Sequence, residues 1–252
     1  MIKYISSPNL PQGKISKVIC GTDDRRILDF FSDESIEVIS FEPNRCVDPA
    51  ISAHADIIAL HLSSNDIIID KSQDALAQVL SDLDMNVHCT EKSISGAYPF
   101  DVALNFAVFG DYAVGNFKYA DKNLMPLISE KRLINVNQGY CKCSMLIINE
   151  SAVVTDDESI YRELMNNDFD CLLISKGDIS LVGHEYGFLG GASFKLSHDT
   201  VVFFGNVKKH RDFESIKAFL DKHGCSFVCT DDGDFRDIGG IVSICEKNPV
   251  IC

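Results

Sequence analysis

Residues 143–174, CSMLIINESAVVTDDESIYRELMNNDFDCLLI, decide the fold. An apolar strand over Met145–Ile148 runs into a tight polar turn, Asn149-Glu150-Ser151, and a second apolar strand over Ala152–Val154 leaves it. Ile160, Tyr161, Leu164 and Met165 then recur at helical spacing, and Cys171–Ile174 reads as a third short strand. Thr155-x-x-Glu158 has the form of a capping box and is predicted to open the helix. The stretch is one strand–strand–helix–strand unit, written ββαβ.

The same order recurs on both sides of it, which is the signature of a repeat architecture. Upstream, one cycle runs Ile57–Leu62, turn Ser63-Ser64-Asn65-Asp66, Ile67–Ile69, a helix around Leu76, Val79, Leu80 and Leu83, and Met85–Val87. The next runs Val102–Val108, turn Gly110-Asp111, Tyr112–Val114, a helix around Leu124, Leu127 and Ile128, and Leu133–Val136. Downstream come Ala192–Leu196, turn Ser197-His198-Asp199, Thr200–Phe204, a helix around Phe213, Ile216, Phe219 and Leu220 closed by Gly224, and Cys225–Val228. First strands begin near residues 57, 102, 143, 191 and 240, a period of roughly 45 residues.

The fifth unit is split. Residues 240–245 supply only a first strand, whereas Lys17–Cys20, a helix around Ile27, Leu28, Phe30 and Phe31, and Ile36–Ile39 supply the rest at the other end of the chain. Pairing the two ends leaves no open sheet edge, so the expectation is a closed ring. The expected fold class is α/β, a five-fold pseudosymmetric propeller of ββαβ units closed by its N- and C-terminal strands. It forms one domain over 1–252, with units at 15–40 plus 240–252, 54–90, 99–137, 140–175 and 184–230. A doubly wound sheet is the competing reading. The hairpin in each cycle and the lack of Gly-x-Gly-x-x-Gly or Gly-x4-Gly-Lys-Ser/Thr speak against it.

A net charge of −14 and a pI near 4.8 disfavour a nucleic-acid surface, since phosphate affinity comes from clustered Lys and Arg. The short basic runs Lys208-Lys209-His210-Arg211 and Lys131-Arg132 read as solvated helix ends, and His198 and His210 as exposed. Neither a signal-peptide run nor a membrane-length apolar stretch is present, so a cytoplasmic location and no membrane partner are expected. Most of the ten cysteines lie in apolar runs such as Val18-Ile19-Cys20, Cys171-Leu172-Leu173-Ile174 and Val250-Ile251-Cys252, as buried thiols in a reducing compartment do. Cys141-x-Cys143 and Cys225-x3-Cys229 lack histidines at zinc-finger distances, and neither a metal nor another cofactor is expected.

Five such units with closure by the chain ends resemble the pentein superfamily, the α/β propellers that include arginine and agmatine deiminases, dimethylarginine dimethylaminohydrolase, the amidinotransferases and the ribosome anti-association factor. The local motifs are Gly139-Tyr140-Cys141-Lys142-Cys143-Ser144, Gly187-Phe188-Leu189-Gly190-Gly191 and Asp237-Ile238-Gly239-Gly240. They are similar to an uncharacterised bacterial branch of that fold.

The resemblance implies that residues just before and at the start of each first strand converge on a central channel. Those residues are His54 and Asp56, Asp101 and Asn105, Cys141, Lys142, Cys143 and Ser144, Gly190, Gly191 and Ser193, and Asp237, Gly239, Gly240 and Ser243. Gly190-Gly191 and Gly239-Gly240 also have a plainer reading, as turns that let backbones crowd together.

Catalytic penteins carry a nucleophilic cysteine just after a Gly-Gly turn near the C-terminus. Here that position falls at about Ser243, two residues short of Cys245. The nucleophile candidates are therefore Cys143 and Cys245, with His184 or His54 as base. Lys142 beside Cys143 is of the charge that lowers a thiol pKa. Asp56, Asp101 and Asp237 form an acidic group suited to a guanidinium or amine.

The reading is a pocket for a small cationic, guanidine- or amine-containing ligand. The alternatives are a cysteine-dependent guanidine-modifying hydrolase or amidinotransferase, and a non-catalytic protein-binding propeller. A protein partner or a homo-oligomer is compatible with the acidic surface.

Overall fold

The computed structural model describes residues 3–248, so Cys252 and the end of the split unit lie outside the described residues. Fifteen strands form five sheets of three. The first sheet contains β1 (Ile15–Ile19), β2 (Glu37–Ile39) and β15 (Val242–Glu246); the second β3 (Ala59–Ser63), β4 (Asp66–Ile69) and β5 (Asn86–Cys89). The third contains β6 (Ala107–Phe109), β7 (Tyr112–Gly115) and β8 (Arg132–Asn135), and the fourth β9 (Met145–Asn149), β10 (Ala152–Thr155) and β11 (Asp170–Leu173). The fifth contains β12 (Ser193–Ser197), β13 (Thr200–Phe203) and β14 (Ser226–Cys229).

In the second to fifth sheets the first two strands are an antiparallel hairpin joined by two residues: Ser64-Asn65, Gly110-Asp111, Glu150-Ser151 and His198-Asp199. The third strand pairs parallel to the middle one, as a helical crossover requires. The first sheet has the same pattern from both chain ends, with β15 antiparallel and β2 parallel to β1. Helices α1 (Arg25–Asp33), α3 (Asp74–Asp82), α4 (Leu124–Leu127), α5 (Glu158–Asn166) and α6 (Phe213–Lys222) make the crossovers.

Strand alternation sends the two faces of each sheet into different cores. Met145 and Ile147 of β9 pack with Ala107, Phe109 and Val114, whereas Leu146 and Ile148 pack with Val201 and Phe203. Ile67 and Ile69 join Ile19 and Ile244, whereas Ile68 joins Val108. The fifth cluster joins Phe194, Leu196 and Val202 to Ile15, Val18 and Phe31. Each of the five cores thus lies between two sheets. Burial on both faces explains the nearly continuous apolar reading of the strands.

Local departures from the sequence reading have physical causes. Ile57–Leu62 is not all strand: Ala55–Ile58 is a helical turn, α2, and extended structure begins at Ala59. A short apolar run cannot tell a buried turn from a strand by periodicity. Val102–Phe106 likewise folds as turns, with the Asn105 N–H donating to Val102 O, and β6 starts at Ala107. Helix α4 is a single turn, with Pro126 in its first turn, where no intrahelical N–H is needed, and Ile128 is its C-cap. The cap of α5 is Asp157, whose carboxylate accepts from the Ser159 and Ile160 N–H groups. Thr155 instead donates its hydroxyl to Ser144 O. Gly224 follows α6 at φ +67°, as expected.

No helix among the described residues is long and apolar enough to cross a membrane. Phe31 is fully buried between Phe194 and Phe204, at centroid distances of 6.0 and 6.4 Å, and ties α1 to the fifth sheet. Phe31→Ala is expected to lower the unfolding free energy by about 3–5 kcal/mol in urea denaturation; a loss below about 1 kcal/mol would mean that the first and fifth sheets are not packed together.

Candidate functional site

The first strands are each preceded by a turn, and one residue of each turn takes part in a continuous hydrogen-bond chain. The Asp56 N–H donates to Gly239 O (3.3 Å), and Asn105 Nδ2 donates to Asp56 O (3.3 Å). Cys143 N–H donates to Asn105 Oδ1 (3.2 Å), Gly191 N–H to Cys143 O (3.0 Å), and Gly240 N–H to Gly191 O (2.9 Å). The bonds begin and end on the Gly239-Gly240 pair. Contact this close excludes side chains: a Cβ on Gly191 would strike the Asp237 carboxylate, and one on Gly239 would strike His54. Gly239 and Gly240 also need φ values of +78° and +60°, where glycine alone is unstrained.

On one side of this floor lies a cavity of about 250 Å³. His54, Cys143 and Asp237 line it, with His184 and Glu185 on an exposed loop at its lip. Ile51, Leu181 and Phe188 form an apolar wall together with the rings of Tyr140 and Tyr186. Phe188 lies 5.8 Å from Tyr140 and 6.1 Å from Tyr186, centroid to centroid, and is nearly perpendicular to the latter. On the other side, Lys142 and Ser243 border two chambers of about 20 Å³ each, the first shared with Asp56 and the second with Ser193.

Cys143 is 2% exposed, and its thiol donates to Asp56 Oδ2 at 2.9 Å while Asn105 Nδ2 donates to the sulfur at 3.0 Å. Burial, then the charges of Asp56 and Asp237, push the thiol well above its ordinary pKa. Burial also pushes the Asp56 carboxyl up to about 6, opposed by His54 and assisted by Asp237. Asp56 Oδ1 has no hydrogen-bond partner among the described residues. Asp237 is better served, accepting from Phe188 N–H (2.9 Å) and Gly239 N–H (2.8 Å) and keeping further lone pairs.

Other candidates lie elsewhere. Asp101 is set behind Tyr140, whose hydroxyl donates to it at 2.6 Å, and burial raises its carboxyl. Cys245 packs with Ile19, Val242 and Ile244 in a core, and burial pushes its thiol up to about 11. Cys141 is buried against Val114 O and Met145. Ser144 is buried and off the cavity, and Gly190 abuts the backbone of Lys142 and Cys143. His210, expected to be exposed, is buried, its ring bonded to Ser175 O and to the Asp212 N–H. Each of the described cysteines is free, and the described residues hold no group of three or more potential metal ligands.

The sequence reading passed over Tyr140, Phe188 and Asp156. Asp156 reads as one of a solvated pair with Asp157, yet it is buried and accepts from Leu189 N–H at 3.1 Å. Asp156 and Asp237 together hold the 187–191 loop through consecutive backbone N–H groups. The only sequence signal is position: Asp156 directly follows a strand, as buried Asp70 does.

Similarity to known proteins agrees with this architecture. The structure is similar to SxtG, an amidinotransferase from Microseira wollei in the saxitoxin biosynthetic pathway, with TM-score 0.63, 10% identity, and 95% of this chain and 97% of that chain covered. It is similar to inosamine-phosphate amidinotransferase StrB1 from Streptomyces griseus (TM-score 0.60, 11% identity, 96% and 97% covered). Agmatine deiminase of C. jejuni is a third match (TM-score 0.54, 11% identity, 90% and 91% covered). The fold is that of the pentein superfamily. The chain belongs to a family of unknown function, DUF6873, whose model matches residues 18–242. No curated protein sequence matches it.

Burial, more than the charges around it, raises Asp156 to about 7, so the folded protein holds a proton that the unfolded chain releases near 3.8. Stability from this group is intact below pH 4 and falls as pH rises towards 7. Asp156→Asn should therefore stabilise the protein at pH 8 by a few kcal/mol, on the order of 4, and change little at pH 4; an equal Tm shift at both pH values would show that Asp156 is not buried as an acid. Asp56→Asn removes a charge that raises the Cys143 thiol and puts in its place a neutral amide that can donate to the thiolate. Alkylation of Cys143 at pH 8 should then quicken at least severalfold, as read by peptide mass spectrometry, and an unchanged rate would refute the pairing.

Proposed function

We propose that the five units close into one ring-shaped pentein domain and that the cavity on its axis binds a small cation bearing a guanidine or amine. Closure is supported by the five cores, each between two sheets, with Phe31 and Phe194 linking fifth to first. It is supported further by hydrogen bonds that visit all five turns and return to the Gly239-Gly240 pair.

The observation that carries the ligand class is the floor itself. Asp237 lines the cavity with lone pairs to spare, and Asp56 lies behind Cys143 with one oxygen unpartnered. Two desolvated carboxyl groups this near one another repel, which is part of why Asp56 is raised. A guanidinium or ammonium against Asp237 relieves that repulsion and donates to its spare lone pairs. Agmatine serves as a probe: it should bind with measurable heat and slow the alkylation of Cys143. Asp237→Asn also forfeits one of its two backbone N–H bonds and lowers the Tm, so it is assayed well below that Tm, where it should weaken binding at least tenfold; agmatine and simple alkylamines that neither bind to the natural sequence nor protect its thiol would overturn the reading.

Catalysis is a second reading, favoured by the presence of Cys143, His54 and His184 around one cavity. A bound cation offsets the charges that hold the thiol protonated. The thiol proton would pass to a histidine and Sγ would add to the amidine carbon. The bond to the leaving nitrogen would break as that nitrogen takes the proton, and water or an acceptor amine would then cleave the C–S bond. Ser243 lines the small chambers and Cys245 the core, so Cys143 is the thiol this reading needs. An amidino adduct on Cys143 after quenching would support turnover; its absence, with binding intact, would leave a binding protein.

A further inference from the structure

The walls and lip of the cavity say more about the ligand than its floor. No lysine or arginine lines it among the described residues. Lys142 faces the small chambers beyond the floor. Lys176 reaches the Tyr186 ring at 5.9 Å and is paired with Asp157 at 3.7 Å. The lip carries Glu185 and His184, the latter 3.4 Å from the Asp48 carboxylate. Between floor and lip the surface is apolar or aromatic: Ile51, Leu181, Phe188, Tyr140 and Tyr186.

We infer that the ligand is a cation without a carboxylate, an amine or guanidine whose uncharged alkyl or aryl body lies along the aromatic wall. This inference rests on the cavity being the ligand site. An amino acid entering head-first would bring its carboxylate to a lip that already holds Glu185 and Asp48. There it would lose water without gaining a cationic partner. Such a mismatch is how a site rejects a near-isostere: by an unpaired charge. A decarboxylated analogue presents methylenes or a ring to Phe188 and Tyr186 instead, and its positive charge gains from the aromatic faces as well as from Asp237.

The test compares matched pairs by calorimetry on the whole protein: agmatine against arginine and cadaverine against lysine. The carboxylate-free member of each pair should bind at least tenfold more tightly, about 1.4 kcal/mol. Glu185→Arg places a guanidinium on the exposed lip and should reverse the order, tightening arginine at least tenfold while weakening agmatine. Equal or tighter binding of the amino acids to the natural sequence would overturn the inference and leave the cation site standing. Failure of all four compounds to bind would overturn both.

Discussion

Five chain turns must meet within hydrogen-bonding distance, and the rest of the molecule is arranged around that constraint. Backbone reaches backbone at Asp56 and Gly239, at Cys143 and Gly191, and at Gly191 and Gly240. Asn105 spans the remaining gap with its side-chain amide. Such crowding leaves no room for a Cβ at Gly191 or Gly239 and leaves Cys143 and Asp56 buried. The glycines thus serve both readings offered from sequence, because the turns that let backbones crowd also form the cavity floor.

Desolvation is also what gives the site its chemistry. Asp56, Asp101 and Asp156 each leave one carboxylate oxygen without a protein partner among the described residues, and burial raises all three. Unsatisfied buried polar atoms cost stability and are uncommon in structural cores. None of the three lines the cavity; each lies directly behind it, against Cys143, Tyr140 or Leu189 of the 187–191 loop. The acids are not equivalent. Asp156 and Asp237 fix the 187–191 loop, Asp101 anchors Tyr140, and Asp56 restrains the Cys143 thiol.

Strand–turn–strand punctuation and helical spacing made the five units legible, because the hairpin strands are largely buried and apolar on both faces and each hairpin turn is two polar or glycine residues. The split unit was legible for the same reason, as β15 matches the missing first strand. Less could be read in the turns before the first strands. Ala55–Ile58 and Val102–Phe106 are largely apolar yet not extended, since backbone donors such as those of Ile57, Asn105 and Phe106 close local turns, on His54, Val102 and Leu104, rather than a ladder. Tyr140 and Phe188 lay inside quoted motifs, where nothing in their spacing marks them as cavity residues. Asp156 looked like half of a solvated pair, because tertiary burial leaves no trace in spacing. Cys143 and Cys245 were both nucleophile candidates from sequence, and the register of β15 sends the second into a core.

The pairing of β1 with β15 has a consequence for how the chain is made. During synthesis β1 leaves the ribosome more than two hundred residues before the strand it lies against. At about 5–20 residues per second, that is a wait on the order of tens of seconds. Throughout it, β1 has β2 on one side and an unpaired edge on the other, while Phe31 lacks the fifth sheet that covers it. The nascent protein therefore passes through a stage in which four sheets can form while the first stays incomplete, with an apolar edge available to chaperones or to another nascent copy.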